Sequence, residues 1–364
     1  MKRILVSVTY YYPNISGVTI YAKLLAEELA KRKKQVTVLT SAYDKKSKTE
    51  ETIEGVKIKR SKVIFRLGKG VIMPMFWRDS FLAVKEADVV NCHLPEIESV
   101  WLAVWAKVLK KKLIVTHHCE FGFDGPISNK LIAVISYPFH LITYLLADKI
   151  VAYTQDYANH SMFLRLFKNK LEIILPPIKV KSTPNPSFDK EGKFNNHKIV
   201  GFVGRIAWEK GLDVLVEAMK QVKAKLVLVG PYNNIAGGDK TIEKLKLNKN
   251  IVLYGPIKHE DLGAFYQICD CLVLPSTSNL ETFGIVQAEA MVCGCPVVAS
   301  NLPGVRVPVN LTGMGMIAKV GDSQDLAEKI TAVLIHGKKY YQDRAKNLDL
   351  FDYKKTADEY EKMF

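Results

Sequence analysis

The stretch Ile4-Leu5-Val6-Ser7-Val8, Thr9 to Gly17, Val18 to Lys33 and Gln35-Val36-Thr37-Val38-Leu39-Thr40 contains one whole folding unit. Its first five residues are an apolar run of strand length. Pro13, Asn14 and Gly17 make the next segment a turn. Ile20, Leu24, Leu25 and Leu29 then recur at helical spacing, and a second apolar strand closes the unit. A strand, a helix and a strand in that order predict a parallel pair with a crossover, the seed of an α/β sheet.

Working outward, the pattern repeats. Short apolar runs at Asp88-Val89-Val90, Lys112 to Thr116, Lys149 to Ala152 and Leu171 to Leu175 predict further strands, with a helix over Ile97 to Leu109. Pro176, Pro177, Pro184 and Pro186 then interrupt the periodicity. A second series follows at Ile199 to Gly204, Leu226 to Gly230, Ile251 to Gly255, Cys271 to Pro275 and Pro296 to Ser300. The expectation is α/β: two Rossmann-like, doubly wound parallel-sheet domains facing across a cleft. The first spans residues 1–178, a linker 179–197, and the second 198–351, with a terminal helix at 352–364 packing back on the first. In such sheets ligands sit outside the carboxyl ends of the strands.

Composition narrows the function classes. The 364 residues suffice for two cores. Of the net charge of +15, residues 1–180 carry +12 and the remainder +3. The basic runs can be solvated surface or a footprint for anionic lipid. No reading motif accompanies them, so nucleic acid is not expected as a partner. The six cysteines lack Cys-x-x-Cys spacing and mostly lie in apolar segments, which predicts buried free thiols in a reducing compartment. Met1-Lys2-Arg3 runs straight into a strand, which does not fit a signal peptide. The longest uncharged stretch, Leu131 to Ala147, is short for a bilayer span and fits a core or interfacial helix.

Each chemical candidate follows a strand. Arg205 and Lys210 offer a guanidinium fork and a point charge to a diphosphate, although spacing alone allows two surface cations. Glu281 precedes a helix and Glu289 is placed about two turns inside it, among residues that should be buried. Gly284 can uncover backbone amides at that helix start. Gly17 opens the first helix, yet no Gly-x-Gly-x-x-Gly exists to signal a dinucleotide. His117 and His118 are adjacent on an extended segment, so at most one can face a cleft.

On these residues the chain resembles the retaining GT-B glycosyltransferases of family 4. Glu281-Thr282-Phe283-Gly284-Ile285-Val286 through Glu289-Ala290-Met291 matches that family's Glu-x7-Glu motif, and Gly294 to Ser300 continues it. Gly204-Arg205 with Glu209-Lys210-Gly211 matches its diphosphate loop, Tyr10 to Leu29 its glycine loop and helix, and Thr116 with His118 its histidine motif. The resemblance implies a retaining transfer of a hexose or N-acetylhexosamine from a UDP- or GDP-sugar, without cofactor or metal. Arg205 and Lys210 would neutralise the diphosphate, which Gly204 and Gly17 approach closely. Glu281 would contact the sugar, Phe283, Gly284 and Ile285 would line the donor through backbone amides, Glu289 would take the ribose, Ile257 would lie by the base, and His118 would line the reacting face. Ser16-Gly17 stands where Gly-Gly is usual. The metal-binding Asp-x-Asp of other glycosyltransferases does not occur.

The acceptor is expected to be a carbohydrate or a lipid-linked or glycolipid hydroxyl. Basic and aromatic residues interleave from Lys57 to Phe81, which fits either an anionic membrane surface or a loop packed on the sheet. The expected location is cytoplasmic and peripheral, at the inner face of the cell membrane. A sugar-nucleotide epimerase or hydrolase, and a silent nucleotide-sugar binder, are the competing readings.

Overall fold

A computed structural model describes residues 1–44, 47–67, 70–120, 127–180, 197–206, 210–231, 245 and 249–364. Most of the expected linker, and Trp208 and Glu209 of the diphosphate loop, lie outside the described residues. The chain divides into two compact units, Met1–Pro177 with Phe351–Phe364, and Ile178–Leu350.

The first unit runs β1 (Arg3–Ser7), α1 (Gly17–Lys31), β2 (Gln35–Ser41), β3 (Glu50–Ile53), β4 (Val56–Ser61), β5 (Phe65–Leu67), β6 (Gly70–Ile72), α2 (Phe76–Glu86) and β7 (Val89–Leu94). It continues through α3 (Ser99–Val108), β8 (Lys112–His117), α4 (Ile127–Leu146), β9 (Lys149–Ala152), α5 (Gln155–His160) and β10 (Leu171–Ile173). The sheet order is β10-β9-β8-β7-β1-β2-β4-β3. All pairs are parallel except β3 with β4. The opening unit pairs as its periodicity requires, Ile4 opposite Val36 and Val6 opposite Val38.

Two elements depart from the sequence expectation. The segment from Lys57 to Phe81, for which one expectation is a loop packed on the sheet, contains strand β4, the antiparallel strands β5 and β6, and the start of α2. β4 buries Val56 and Ile58 and turns Lys57 outward, the alternation of a half-buried edge region. The last strand also stops at Ile173, two residues short of Leu175.

The second unit runs β11 (Ile199–Val203), α6 (Leu212–Met219), β12 (Lys225–Val229), β13 (Ile251–Gly255), α7 (Leu262–Ile268), β14 (Cys271–Leu274), α8 (Ile285–Val292), β15 (Val297–Ser300), α9 (Val307–Thr312), β16 (Gly315–Ala318) and α10 (Ser323–Gln342). Its sheet is wholly parallel, with order β13-β12-β11-β14-β15-β16. Counted within the unit that order is 3-2-1-4-5-6, so the winding reverses between β11 and β14. In the first unit the reversal falls between β1 and β7. Both β11 and β14 are fully buried, as expected of parallel strands covered on both faces.

The terminal helix α11 (Tyr353–Lys362) lies on α1 of the first unit. Arg32 binds Asp358 and Glu361, and Lys34 also reaches Glu361. Deeper in, the Tyr360 hydroxyl meets that of Tyr21 at 2.9 Å and Thr116 Oγ1 at 2.7 Å. Exposed ion pairs of this kind contribute little, so the buried hydroxyl is the stronger tie. Tyr360→Phe removes it and leaves two buried partners short of a bond. Thermal melting should show a loss of about 1–2 kcal/mol, or roughly 5 °C. An unchanged melting temperature contradicts this role for Tyr360.

Candidate active site

The winding reversal in the second unit decides which loops meet. The segments after β11 and β14 leave neighbouring strand ends, and they carry Gly204, Arg205 and Lys210 on one side and Glu281 to Gly284 on the other. Three glycines permit the approach. A Cβ on Gly230 would lie 1.9 Å from the Gly204 carbonyl oxygen, so only glycine lets the β11 and β12 ends cross this closely. Gly211 has φ +63°, and a Cβ there would sit 2.1 Å from the Pro275 carbonyl oxygen. The loop after β11 is thereby pressed on the loop after β14. Lys210 and Glu281 then meet as an ion pair, with side chains 21% and 16% exposed. Arg205 is exposed at the same strand end.

Gly284 is the N-cap of α8, with φ +74°. A Cβ on it would strike Leu274 at 2.2 Å. The helix therefore starts at Ile285, and Glu289 sits just over one turn inside it, not two. Phe283 is buried, so only its backbone is available to a ligand. The first amides of a helix have no acceptor within it and draw anions. Gln287 braces the turn from beneath, its Nε2 donating to the carbonyls of Phe283 and, at 2.8 Å, Val305.

Glu289 is buried and held at both oxygens. Its Oε1 lies 2.8 Å from His259 Nε2, and its Oε2 accepts from the Tyr266 hydroxyl at 2.7 Å. His259 follows the half-buried Ile257 in the segment after β13. The fold thus brings Ile257, His259 and Glu289 to one side of the unit. Neither His259 nor Tyr266 has a sequence pattern that marks it, since both matter only through the carboxylate they orient.

In the first unit Gly17 opens α1 and is exposed, with Ser16 Oγ accepting from the Thr19 amide at 3.2 Å as N-cap. His118 is 3% exposed. Its ring joins a buried relay: Asn91 Oδ1 to His93 Nε2 at 2.9 Å, His93 Nδ1 to His118 Nε2 at 2.8 Å, and His118 Nδ1 to the Tyr153 hydroxyl. Asn91 Nδ2 already donates to Thr116 and Ile114, so its oxygen must accept. His93 then donates from Nε2, His118 donates to His93, and Tyr153 donates to His118. Burial pushes His93 down to about 3 and His118 well below the usual histidine range, so both rings are neutral. His117 points the other way, to Tyr144 and Tyr157.

Residues 15–181 match the family described as Glycosyltransferase Family 4, and residues 185–348 match Glycosyl transferases group 1. The chain is a glycosyltransferase of the GT-B type. A relative in Campylobacter jejuni, N,N'-diacetylbacillosaminyl-diphospho-undecaprenol alpha-1,3-N-acetylgalactosaminyltransferase, is 24% identical over 91% of this chain and 90% of its own. Among solved structures, the sucrose-phosphate synthase of Thermosynechococcus elongatus superposes with TM-score 0.79 at 20% identity, covering 100% of this chain and 98% of its own. HepE of Anabaena, in complex with UDP and glucose, does so with TM-score 0.75 at 18% identity, over 100% and 99%.

The transferase holds one further polar group that its sequence does not flag. Glu96, just beyond β7, is 2% exposed and meets Ser7 at the end of β1, whose hydroxyl donates to Oε2 at 3.1 Å. These are the two strand ends at the first unit's winding reversal. Glu96 Oε1 has no hydrogen-bond partner among the described residues. Burial, then the nearby Glu98, raise its carboxyl well above the ordinary range. A raised carboxyl binds its proton more tightly folded than unfolded. Its favourable contribution is therefore complete below the unfolded value and fades as pH climbs towards the folded one. Glu96→Gln should gain stability over the parent as the pH rises above the ordinary carboxylate range, about pH 4. Parallel melting curves across that rise contradict the assignment.

Proposed function

We propose that this glycosyltransferase moves a hexose or N-acetylhexosamine from a UDP- or GDP-sugar to a hydroxyl on a lipid-linked or glycolipid acceptor, with retention and without a metal ion. The observation that carries this reading is the Lys210–Glu281 pair at the second unit's winding reversal. The carboxylate neutralises the lysine. A nucleoside diphosphate sugar offers each partner a replacement: a phosphate for the ammonium and sugar hydroxyls for the carboxylate. Binding thus exchanges one ion pair for two sets of bonds, and the ammonium is delivered to the group that must leave.

In the reaction the bond from the sugar's anomeric carbon to the diphosphate breaks and a bond to the acceptor oxygen forms on the same face. The acceptor's proton passes to the departing phosphate oxygen. Arg205 and Lys210 stabilise the charge that grows there, a task a metal ion performs elsewhere. Gly204 keeps the strand end bare, and the amides at Phe283, Gly284 and Ile285 face the donor. Glu289, set by His259 and Tyr266, accepts from the ribose, and Ile257 flanks the base. Residues of the first unit enter by role alone: Gly17 for close approach to phosphate and His118 as a neutral wall to the reacting sugar, its ring nitrogens being engaged internally. The Campylobacter relative, named for a diphospho-undecaprenol acceptor, supports a lipid-linked acceptor.

Separate binding and turnover measurements test the exchange. Arg205→Ala should cost transfer roughly 10²–10³-fold. Glu281→Ala should lose transfer to a similar degree, yet bind the free nucleoside diphosphate several-fold more tightly, because Lys210 no longer has a competing partner. Full activity in both variants, or weaker nucleoside diphosphate binding in Glu281→Ala, contradicts these roles. A chelator should leave turnover unchanged, and donor bound without turnover would point to a silent binder.

A further inference from the structure

Helix α4 is built inside out. Ala133, Ser136, His140, Thr143 and Tyr144 face the interior, whereas Leu131, Val134, Ile135, Leu141, Ile142 and Leu145 are exposed. At helical spacing those six form one stripe about 120° wide. Leu131 and Leu145, at its two ends, are 59% and 56% exposed. Three of the inward polar side chains are bonded: Thr143 donates to the Phe139 carbonyl at 2.9 Å and lies 3.2 Å from Ser99, Ser136 donates to the Ala133 carbonyl, and Tyr144 reaches His117. The helix therefore turns its polar side into the unit and presents its aliphatic side outward. A continuous apolar stripe of this kind marks a surface that something else covers.

The surroundings say what covers it. No charged residue occurs from Leu131 to Ala147. Beyond the C-terminal end of α4, Lys107 near the end of α3, Lys110 and Lys111 in the turn after it and Lys112 at the start of β8 surround a depression that Leu146 and a single carboxylate, Asp148, also line. α3 packs against both α2 and α4. It exposes Trp101, and α2 exposes Trp77. Aliphatic side chains, indole rings and lysines in neighbouring positions suit the boundary between acyl chains and headgroups. Among the described residues no helix is long and apolar enough to cross a membrane, so α4 would lie along a bilayer. A second copy is the poorer occupant, since a two-fold contact sets each patch against itself and brings its lysines together.

We propose that the outward face of α4, with the lysines of the α3–β8 turn, seats the enzyme on an anionic phospholipid surface, the aliphatic stripe among the acyl chains and the ammonium groups on headgroup phosphates. The inference deepens the membrane-facing acceptor reading and rests on it for its purpose. Vesicle binding needs neither donor nor acceptor, so its failure is distinguishable from a failure of the transferase roles.

Co-sedimentation with vesicles of phosphatidylglycerol and phosphatidylcholine, at low salt, tests it. The unaltered chain should bind these and bind pure phosphatidylcholine far less. Ile135→Ser, Ile142→Ser and Leu145→Ser together should weaken binding at least roughly tenfold, and Lys110→Ser with Lys111→Ser about fivefold for each lysine. Transfer to a short soluble acceptor should persist in both variants. Lipids brominated on their acyl chains should quench the tryptophan emission of the unaltered chain, a readout independent of any substitution. Absence of vesicle binding and quenching in the unaltered chain overturns the proposal. So does unchanged binding by the triple variant, or a sedimenting dimer that the triple variant dissolves.

Discussion

The ion pair between Lys210 and Glu281 is where the architecture of the second unit becomes chemistry. The two residues lie 71 positions apart in sequence. They meet because the sheet winds outward from β11 in one direction and resumes at β14 in the other, which leaves two adjacent strand ends with loops that must share one space. Gly211 against Pro275 sets how closely the loops pack, and Gly204 beneath Gly230 sets how low the first of them lies. The same reversal in the first unit joins Ser7 to Glu96. One topological rule, applied twice, accounts for both buried or half-buried carboxylates at strand ends.

The two units spend their polar residues differently. In the second, Glu281 is paired with an ammonium, and Glu289 is oriented by an imidazole and a phenol. In the first, the relay from Asn91 through His93 and His118 to Tyr153 is closed, with Tyr21 stacked on Tyr153 beside it. A closed, neutral relay in a buried place fixes ring orientation and resists protonation. Structural rigidity in one unit and exchangeable charge in the other is a division suited to an enzyme that must release a diphosphate.

Much of this was legible in the sequence for identifiable reasons. Apolar runs such as Ile4 to Val8 and Ile199 to Val203 are long, buried on both faces and separated by helical spacing, so strand and helix could be told apart. The Glu281 to Glu289 segment was legible because glycine, carboxylates and apolar residues stand at fixed offsets. Its helix boundary was not, since nothing in the letters says that Gly284 adopts φ +74°. The β3–β4 pair is not legible because short, charged strands such as Glu50–Ile53 lack a clear period. α4 shows the limit most plainly. An uncharged run identifies a helix, but only packing reveals that Thr143 and Tyr144 turn inward and Ile142 and Leu145 outward. His259, Tyr266 and Glu96 act through single tertiary contacts, which no local pattern encodes.

The central claim is that the donor breaks the Lys210–Glu281 pair and takes both partners for itself. A crystal structure of the enzyme with a nucleoside diphosphate sugar that it transfers measures this directly. The account requires Lys210 Nζ within hydrogen-bond distance of a phosphate oxygen and the Glu281 carboxylate on hydroxyls of the sugar, the two side chains no longer bonded to each other. Bound donor alongside an intact Lys210–Glu281 pair, both side chains turned from the diphosphate, would contradict it.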